Sequence, residues 1–376
     1  MKFTIHPHID NIPQIAWDAL APDQPFLRHT FFAALEDTAC VGHGTGWQPA
    51  HAALWEGREL IAAAPMYRKH HSSGEYVFDW AWADAYQRHG LRYYPKWLCA
   101  VPFSPVPGVR LLARDEDGRR ALLLAMLQHA EASDLSSLHI LFPSDTEARI
   151  GEDIGMMRRD GVQFHWHNAG YRHFEDFLAA LSHDKRKKIR QERRKVVDAN
   201  VISRVLEGTN IREADWAFFA KCYAMTYALH GATPYLNLDF FLQLGQTMAD
   251  ACVLIIGARD GRDIAASFLI RDREALYGRY WGAVEYVPCL HFEVCYYRSI
   301  EYAIDSGIAR FEGGAQGEHK LARGLDPVRT QSLHWIADER FRDAVAHFLA
   351  RETGGMEQYI NELEEHRPYA KRDPAP

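Results

Sequence analysis

Two periodicities alternate along this chain and predict a mixed α and β architecture. Apolar residues recur at helical spacing in residues 119–132, 174–181 and 211–230. Short apolar runs bounded by turn residues predict strands, and Cys252–Ala258 is a clear example. The second half reads as a strand, two helices, three strands, one helix and a last strand, and this order predicts an α+β domain.

The elements expected in the second half begin with a short helix that leads into a basic helix. They are a helix from 174, the basic helix at 185–195, a strand at 201–206, helices at 211–230 and 238–248, strands at 252–258, 264–270 and 275–281, a helix at 292–303 and a strand at 310–312. The first half is predicted to hold helices from 31 and at 119–132, strands at 50–55, 60–67, 76–80 and 138–142, and a proline-rich loop at 101–108.

Two similar hairpin patterns indicate an internal duplication. Each is an acidic-Gly-Arg-acidic turn between apolar runs, with Gly57 in one and Gly261 in the other, an offset of 261 − 57 = 204. Tyr76–Trp80 and Tyr277–Trp281 follow in the same order at an offset of 201. We therefore predict two copies of one α+β unit, as domains 1–168 and 169–376, each a mixed central sheet flanked by helices.

Composition narrows the class of protein. The chain has 376 residues and a formal net charge of −7, so it is not a generally basic, nucleic-acid-coating protein. It shows neither a signal-peptide pattern nor an apolar run long enough for a membrane span, and we expect a cytoplasmic protein. Its six cysteines form no CxxC pair, and no metal site is predicted, since Cys289, His291, Glu293 and Cys295 fit no compact tetrahedral spacing.

The segment Lys185–Lys195 is a dense basic run in this acidic chain. It favours a surface that holds phosphates, either of RNA or of a nucleotide-linked substrate, because guanidinium and ammonium groups pair with phosphate oxygens. A solvated helix face and a partner-docking surface are the alternatives. The residues predicted to bind phosphate are Lys187, Lys188, Arg190 and Arg194.

Two neighbouring segments of the second half carry the candidate chemistry. Phe311–Gly324 combines glycines with polar and charged side chains directly after a predicted strand, where ligands often bind, although a polar surface loop gives the same pattern. Glu293 and Tyr297 are spaced i, i+4 and are predicted to face a cleft or water. The predicted catalytic residues are Glu293, His291, Glu318, His319 and Lys320.

The identity of the general base stays open among Glu293, His291, Glu312 and His319, because a carboxylate or a neutral imidazole can accept the proton of an attacking amine. In the first half, aromatic and polar residues crowd together and suit a stacked sugar or base, with half-buried packing as the alternative. The residues predicted to bind substrate are Trp80, Trp82, Asp84, Tyr93, Tyr280, Trp281, Tyr297, Glu312, Gln316 and Arg323.

Several of these segments resemble the FemAB-like N-acyltransferase family. The resemblance extends from about Pro25 to about Pro368, and the segments that carry it are 71–83, 93–96, 101–108, 185–195, 290–297 and 314–324. It implies tandem GNAT-type domains, and relatives that transfer amino acids from aminoacyl-tRNA to peptidoglycan precursors. The basic helix is similar to a feature of those transferases.

The resemblance implies an acyl- or aminoacyl-transferase that acts on an amine, such as a cell-wall precursor, in a cleft between the two domains. No tightly bound cofactor is expected, and the acyl donor is aminoacyl-tRNA or acyl-CoA. An acetyl-CoA-dependent N-acetyltransferase is one alternative, although Arg279–Ala283 is one residue short of the acetyl-CoA signature. A non-catalytic module that binds RNA or a phosphate-bearing ligand is the other.

Overall fold

The computed structural model describes residues 1–314 and 317–369. Its strands, in chain order, are β1 (Lys2–His6), β2 (Trp47–Pro49), β3 (His51–Glu56), β4 (Glu59–Ala64), β5 (Met66–Lys69), β6 (Lys96–Cys99), β7 (Leu112–Ala113), β8 (Ser137–Leu141), β9 (Met157–His167), β10 (Val201–Glu207), β11 (Cys252–Arg259), β12 (Arg262–Arg271), β13 (Ala275–Ala283), β14 (Arg310–Glu312) and β15 (Asp326–Ile336).

Helices occupy most of the remaining described chain. They are α1 (Gln14–Asp18), α2 (His29–Asp37), α3 (Trp80–Arg88), α4 (Glu116–Ala132), α5 (Asp145–Asp153), α6 (Phe174–Ala180), α7 (His183–Asp198), α8 (Glu213–Leu229), α9 (Leu238–Thr247), α10 (Leu290–Phe292), α11 (Arg298–Asp305) and α12 (Glu339–Glu365). A π-helical turn, Glu293–Tyr297, joins α10 to α11.

The chain divides into two units. Unit 1 comprises residues 1–161 and 329–359, and unit 2 comprises residues 162–328 and 360–376. These units differ from the expected domains 1–168 and 169–376 mainly because residues 329–359 belong to unit 1. The reason lies in β15, which pairs antiparallel with β8 from Ser332↔Leu141 to Ile336↔Ser137.

Unit 1 contains a four-stranded sheet in the order β1-β3-β4-β7. Beside it, β2, β5, β6, β8 and the second half of β15 pair in that order. The core contains Leu122, Leu123 and Met126 of α4, packed with Leu138 and Ile140 of β8. Each such buried side chain contributes roughly 1.5–3 kcal/mol to folding.

Unit 2 is built on the strand order β10-β11-β12-β13-β14, with the end of β9 beside β14. Aromatic residues of α8 cover this sheet: Trp216 and Phe219 lie 5.3 and 5.5 Å, centroid to centroid, from Phe268 of β12. Gly282 of β13 permits the close approach of α8, because a Cβ there would lie 2.0 Å from the Cys222 carbonyl oxygen.

Both predicted hairpins are present, as β3–β4 and β11–β12. Gly57 has φ +59°, and Asp260 and Gly261 have φ +51° and +75°. Each hairpin carries a register shift a few residues before its turn, between Leu54 and Trp55 in β3 and between Gly257 and Ala258 in β11. The duplicated pattern therefore corresponds to two matching hairpins.

The strand expected at 76–80 is wrong. Trp80 begins α3, and the preceding residues form a loop held by a buried charge cluster. The ammonium of Lys96, fully buried, donates to Glu75 Oε2 at 2.9 Å and to Asp79. Because Glu75 and Asp79 both bind Lys96, this segment folds as a loop, and its alternating apolar residues do not form a strand. The strand expected at 60–67 is also split, since Pro65 separates β4 from β5.

Candidate functional site

The central feature of unit 2 is a pair of parallel strands that soon part. Within the described part of the chain, β13 and β14 pair at Ala275↔Arg310, Leu276↔Phe311 and Tyr277↔Glu312, and β13 then continues to Ala283. Its register with β12 shifts between Phe268 and Leu269, which makes a bulge on β13. Bulges bend strands and are frequent next to active sites. The last paired residue of β14, Glu312, therefore lies where the two strands separate.

Glu312 is a buried carboxyl with an incomplete set of partners. It is 4% exposed. Its Oε1 accepts a hydrogen bond from Arg310 Nε at 3.0 Å, whereas Oε2 makes none among the described residues and lies 3.8 Å from His165 Nε2. Burial raises the pKa of Glu312 to about 7, although Arg310 opposes the shift. This carboxyl can therefore take up or release a proton near neutral pH.

A cluster of imidazoles and rings forms around the start of α10. The rings of His291 and Trp281 lie 4.6 Å apart, and those of His291 and His319 lie 6.2 Å apart. The hydroxyl of Tyr296 is 3.2 Å from His319 Nε2. Burial, together with the nearby cations, lowers the pKa of His291 to about 4. His291 is thus neutral at pH 7 and is a weak base.

Two buried cations complete this cluster. Lys320 Nζ donates to the Gly314 carbonyl at 2.8 Å, and burial lowers the pKa of Lys320 to about 8. Arg323 donates to Glu192 at 2.9 and 3.1 Å, and its guanidinium carbon lies 3.4 Å from the ring centroid of Phe292. The described residues of Phe311–Gly324 therefore bring buried positive charge into unit 2.

The glycines of this segment have a steric role. Gly314 and Gly317 have φ +81° and +110°, and a Cβ at Gly317 would lie 2.5 Å from His319. Glu318 and His319 are exposed on the short 3₁₀ helix Glu318–Arg323. The predicted substrate residue Gln316 lies outside the described residues.

Glu293 and Tyr297 do not face a cleft or water, contrary to the prediction. They are 6% and 0% exposed within the π-helical turn. Arg193 of α7 binds Glu293 at 3.0 Å, and the Tyr297 hydroxyl donates to Glu192. The π turn displaces side chains from ordinary i, i+4 positions, and burial then requires that each find a partner. This geometry favours a structural role for both residues.

The outer face of α7 remains basic. A groove of about 610 Å³ is lined by Glu175, His183, Arg186, Lys187, Arg190, Gln191 and Arg194. Three of the predicted phosphate residues, Lys187, Arg190 and Arg194, share this groove, whereas Lys188 is exposed and does not line it. Arg190 also contacts Glu175 at 2.6 Å. The groove presents several cations to a ligand.

The predicted aromatic residues of the first half lie in unit 1. Trp82 is buried with its ring 4.9 Å from that of His334, and Tyr93 is buried and donates to Asp79 at 2.5 Å. Trp80 is 47% exposed, and Asp84 pairs with Arg88 at the surface. Trp82 and Tyr93 therefore serve packing, and only Trp80 and Asp84 are accessible at this surface.

Sequence reasoning missed the inward members of the basic helix. Glu192 and Arg193 bind Arg323 and Glu293 respectively. One signal for these contacts was present in the sequence. Glu192 is the single acidic residue within Lys185–Lys195, and a carboxylate inside a basic run indicates a specific cationic partner. Of the open candidates for the base, Glu312 combines deep burial and a pKa raised to about 7 with a carboxylate oxygen that has no hydrogen bond among the described residues.

Comparison with known proteins places the chain in a family. The FemAB-like family, described as peptidoglycan biosynthesis/recognition, matches residues 8–371. The chain belongs to the FemAB-like family. This membership and the fold below support a transferase. No curated protein matches the sequence. No helix among the described residues is long and apolar enough to cross a membrane.

Solved structures of FemX and of L-PGS from Bacillus licheniformis share the fold. FemX has a TM-score of 0.55 at 11% identity, over 92% of this chain and 100% of FemX. L-PGS has a TM-score of 0.51 at 10% identity, over 84% of this chain and 93% of L-PGS. These likenesses concern the fold, and they confirm the predicted α+β class.

Proposed function

We propose that this FemAB-like protein transfers an activated acyl or aminoacyl group to an amine of a peptidoglycan precursor. The observation that carries the proposal is the place of Glu312, at the point where β13 and β14 part, with one oxygen that accepts no hydrogen bond among the described residues. Family membership supports the class of acceptor. Lys320 and the glycine segment follow directly along the chain.

The reaction needs a base and a stabilised oxyanion. The amine nitrogen attacks the acyl carbon, a C–N bond forms, and the bond to the leaving group breaks. Glu312 takes the proton from the nitrogen and returns it to the leaving group. Lys320 stabilises the negative charge that develops on the carbonyl oxygen, as a buried cation does effectively. Holding both substrates in place supplies the remaining rate enhancement.

The donor carries phosphate, and the α7 groove holds it. Lys187, Arg190 and Arg194 line that groove, and guanidinium groups bind phosphate oxygens in pairs. Aminoacyl-tRNA and acyl-CoA both meet this requirement. A non-catalytic phosphate-binding module remains the second candidate function, because the groove by itself accounts for binding without turnover.

Plain acetyl-CoA chemistry is less well supported. The segment between β13 and α10, Val284–Cys289, contains no glycine, and Pro288 has no N–H to offer a pyrophosphate. Glu285 adds a carboxylate there, paired with Arg259. A phosphate cradle requires several backbone N–H groups and no nearby anion.

The test is a transfer assay with charged tRNA, acetyl-CoA and longer acyl-CoA donors, with a UDP-linked muropeptide as acceptor. Glu312→Gln preserves the shape of the side chain and removes the base, so kcat is expected to fall about 10²–10⁴-fold with little change in KM. The matched control is Glu274→Gln, an exposed carboxyl in the same unit. It is expected to leave kcat unchanged.

The pH profile supplies a second readout. Wild-type kcat/KM is expected to rise through a pKa of about 7, and that limb is expected to disappear in the Glu312→Gln variant. Full activity of this variant would remove Glu312 from the mechanism. Absence of transfer with all three donors, together with tight and salt-dependent tRNA binding, would instead favour the non-catalytic module.

A further inference from the structure

Unit 2 contains a second pocket, at the far end of β13. It has a volume of about 550 Å³, which is within the usual range for small-molecule sites. Its walls come from the end of α8, the end of β13, the segment Val284–Cys289 and the start of α10. Most of the lining side chains are apolar, among them Met225, Leu229, Ala283, Val287, Leu290 and Phe292.

The rim of this pocket exposes side chains that normally avoid water. Leu229 is 82% exposed and Tyr286 is 88% exposed. Both line the same pocket. Scattered exposed apolar residues need no explanation, but two of them at the mouth of an apolar pocket supply binding surface for an apolar ligand.

The pocket shares two residues with the cluster of rings around the start of α10. Trp281 and His291 line it, and their rings are 4.6 Å apart. Trp281 is four residues along β13 from Tyr277, where pairing with β14 ends. At a rise of about 3.3 Å per residue, this places Trp281 about 13 Å along the strand from that point.

The polar groups of the pocket do not suit a phosphate. Glu285 is a wall residue and is paired with Arg259, and Pro288 removes one backbone donor from the neighbouring loop. His291 is neutral at pH 7, since burial lowers its pKa to about 4. An anion would therefore meet a carboxylate and an uncharged imidazole.

We propose that this pocket binds an apolar hydrocarbon group of the substrate, carried at a distance from the reacting carbonyl. The inference rests on the proposed acyl transfer and specifies the chemistry of one substrate. The hydrocarbon group enters past Leu229 and Tyr286 and packs against Ala283 and Phe292. The remainder of the substrate extends along β13 toward Glu312.

Binding of uncharged probes tests the pocket without turnover. Titration calorimetry with 1-hexanol, 1-octanol and 1-decanol is expected to show affinity that increases about fifteenfold from each probe to the next, until the pocket is full, because each buried methylene adds a constant free energy. Equal affinities along the series, or no heat with any probe, would overturn the proposal.

Two variants locate the binding site. Ala283→Phe fills the pocket and is expected to abolish alkanol binding. Leu229→Ser alters an exposed side chain, so the fold should persist, and binding of 1-octanol is expected to weaken about fivefold to tenfold. The matched control is Ile202→Ser on β10, 77% exposed and outside the pocket lining. Loss of binding in the control equal to that in Leu229→Ser would contradict the assignment.

The two proposals fail separately. Alkanol binding that follows the predicted pattern, with no acyl transfer from any donor, would contradict the proposed function and leave the apolar pocket in place. Acyl transfer that depends on Glu312, with no alkanol binding, would contradict the pocket assignment alone.

Discussion

The parallel strand pairs of the two units share a topology and differ at their ends. In unit 1, β6 and β8 run parallel and pair from Trp97↔Leu138 to Cys99↔Ile140. Beyond the last pair, Arg110 Nε donates to the Leu141 carbonyl at 2.9 Å, and the Gly108 amide donates to the Phe142 carbonyl at 3.0 Å. Donors of unit 1 itself therefore occupy the backbone carbonyl groups at the end of β8.

In unit 2, the corresponding end is not closed in this way. Glu312 is the last paired residue of β14 and keeps one oxygen without a hydrogen bond among the described residues. Arg110 of unit 1 is 1% exposed and its guanidinium is hydrogen-bonded to backbone carbonyl groups. In unit 2, burial lowers the pKa of Lys320 to about 8. The parallel strand pair thus ends in stabilising hydrogen bonds in unit 1. In unit 2 it ends at titratable groups whose pKa values are shifted toward neutral pH.

The largest expected effect is on the free energy of unfolding, when the buried hydrogen bonds of Glu147 in unit 1 are removed. Glu147 accepts hydrogen bonds from the amides of Arg110 and Leu111, at 2.7 and 2.5 Å, and from Ser144. Glu147→Ala leaves these donors buried and should lower the free energy of unfolding by about 4 kcal/mol. Glu312→Gln should instead raise it by about 3 kcal/mol at pH 7, because burial raises the pKa of Glu312 to about 7 and the amide has no ionised form to keep buried. Urea unfolding measures both, and equal losses would abolish the contrast.

The stability of unit 2 nevertheless depends in part on the buried ion pair between Glu192 and Arg323. Arg323→Met strands the carboxylate of Glu192, which is 7% exposed, and should cost about 3 kcal/mol of stability. The double variant Glu192→Met/Arg323→Met removes both charges and should recover most of that loss. If the double variant is as unstable as the single one, the ion pair is not the cause.

His139 of unit 1 and Glu312 of unit 2 should affect the pH dependence of stability in opposite directions. Burial lowers the pKa of His139 in unit 1 from 6.5 to about 3, so the unfolded state binds more protons in that range and stability falls as pH falls. Burial raises the pKa of Glu312 from 4.5 to about 7, so the native state binds more protons and stability falls as pH rises through that range. Between pH 3 and pH 8 the effect is about 4 kcal/mol for His139 and about 3 kcal/mol for Glu312.

Stability measured by urea unfolding from pH 3 to pH 8 separates these contributions. The variant Glu312→Gln should flatten the decline between pH 4.5 and 7, and His139→Gln should flatten the loss below pH 6.5. An unchanged curve in either variant would show that another group controls that limb.

The smallest expected effect tests the similarity of the hairpins. Gly57 and Gly261 have φ +59° and +75°, and a Cβ at either would meet nothing within 4 Å. Alanine at each position should therefore cost only the strain of positive φ, about 1 kcal/mol in both units. Thermal unfolding of Gly57→Ala and Gly261→Ala measures this, and clearly unequal losses would show that the turns are not equivalent.

The sequence by itself determined the local elements and the family. The two hairpins follow from glycine turns between apolar runs, and the helices from apolar spacing, which are properties of neighbouring residues. The segment Phe311–Gly324 was also recognisable, because its glycines and charged residues are adjacent in the chain. His319, Lys320 and Arg323 indeed lie together with His291.

Only the tertiary structure decided which of these groups can do chemistry. Glu293 forms an ion pair with Arg193, whereas Glu312 accepts a hydrogen bond from Arg310 at Oε1 and none from a described residue at Oε2. Lys96 stabilises the loop before Trp80, and no pattern of neighbouring residues predicts this contact. Burial and pairing depend on partners far apart in sequence, and they set the proton affinity of each buried group.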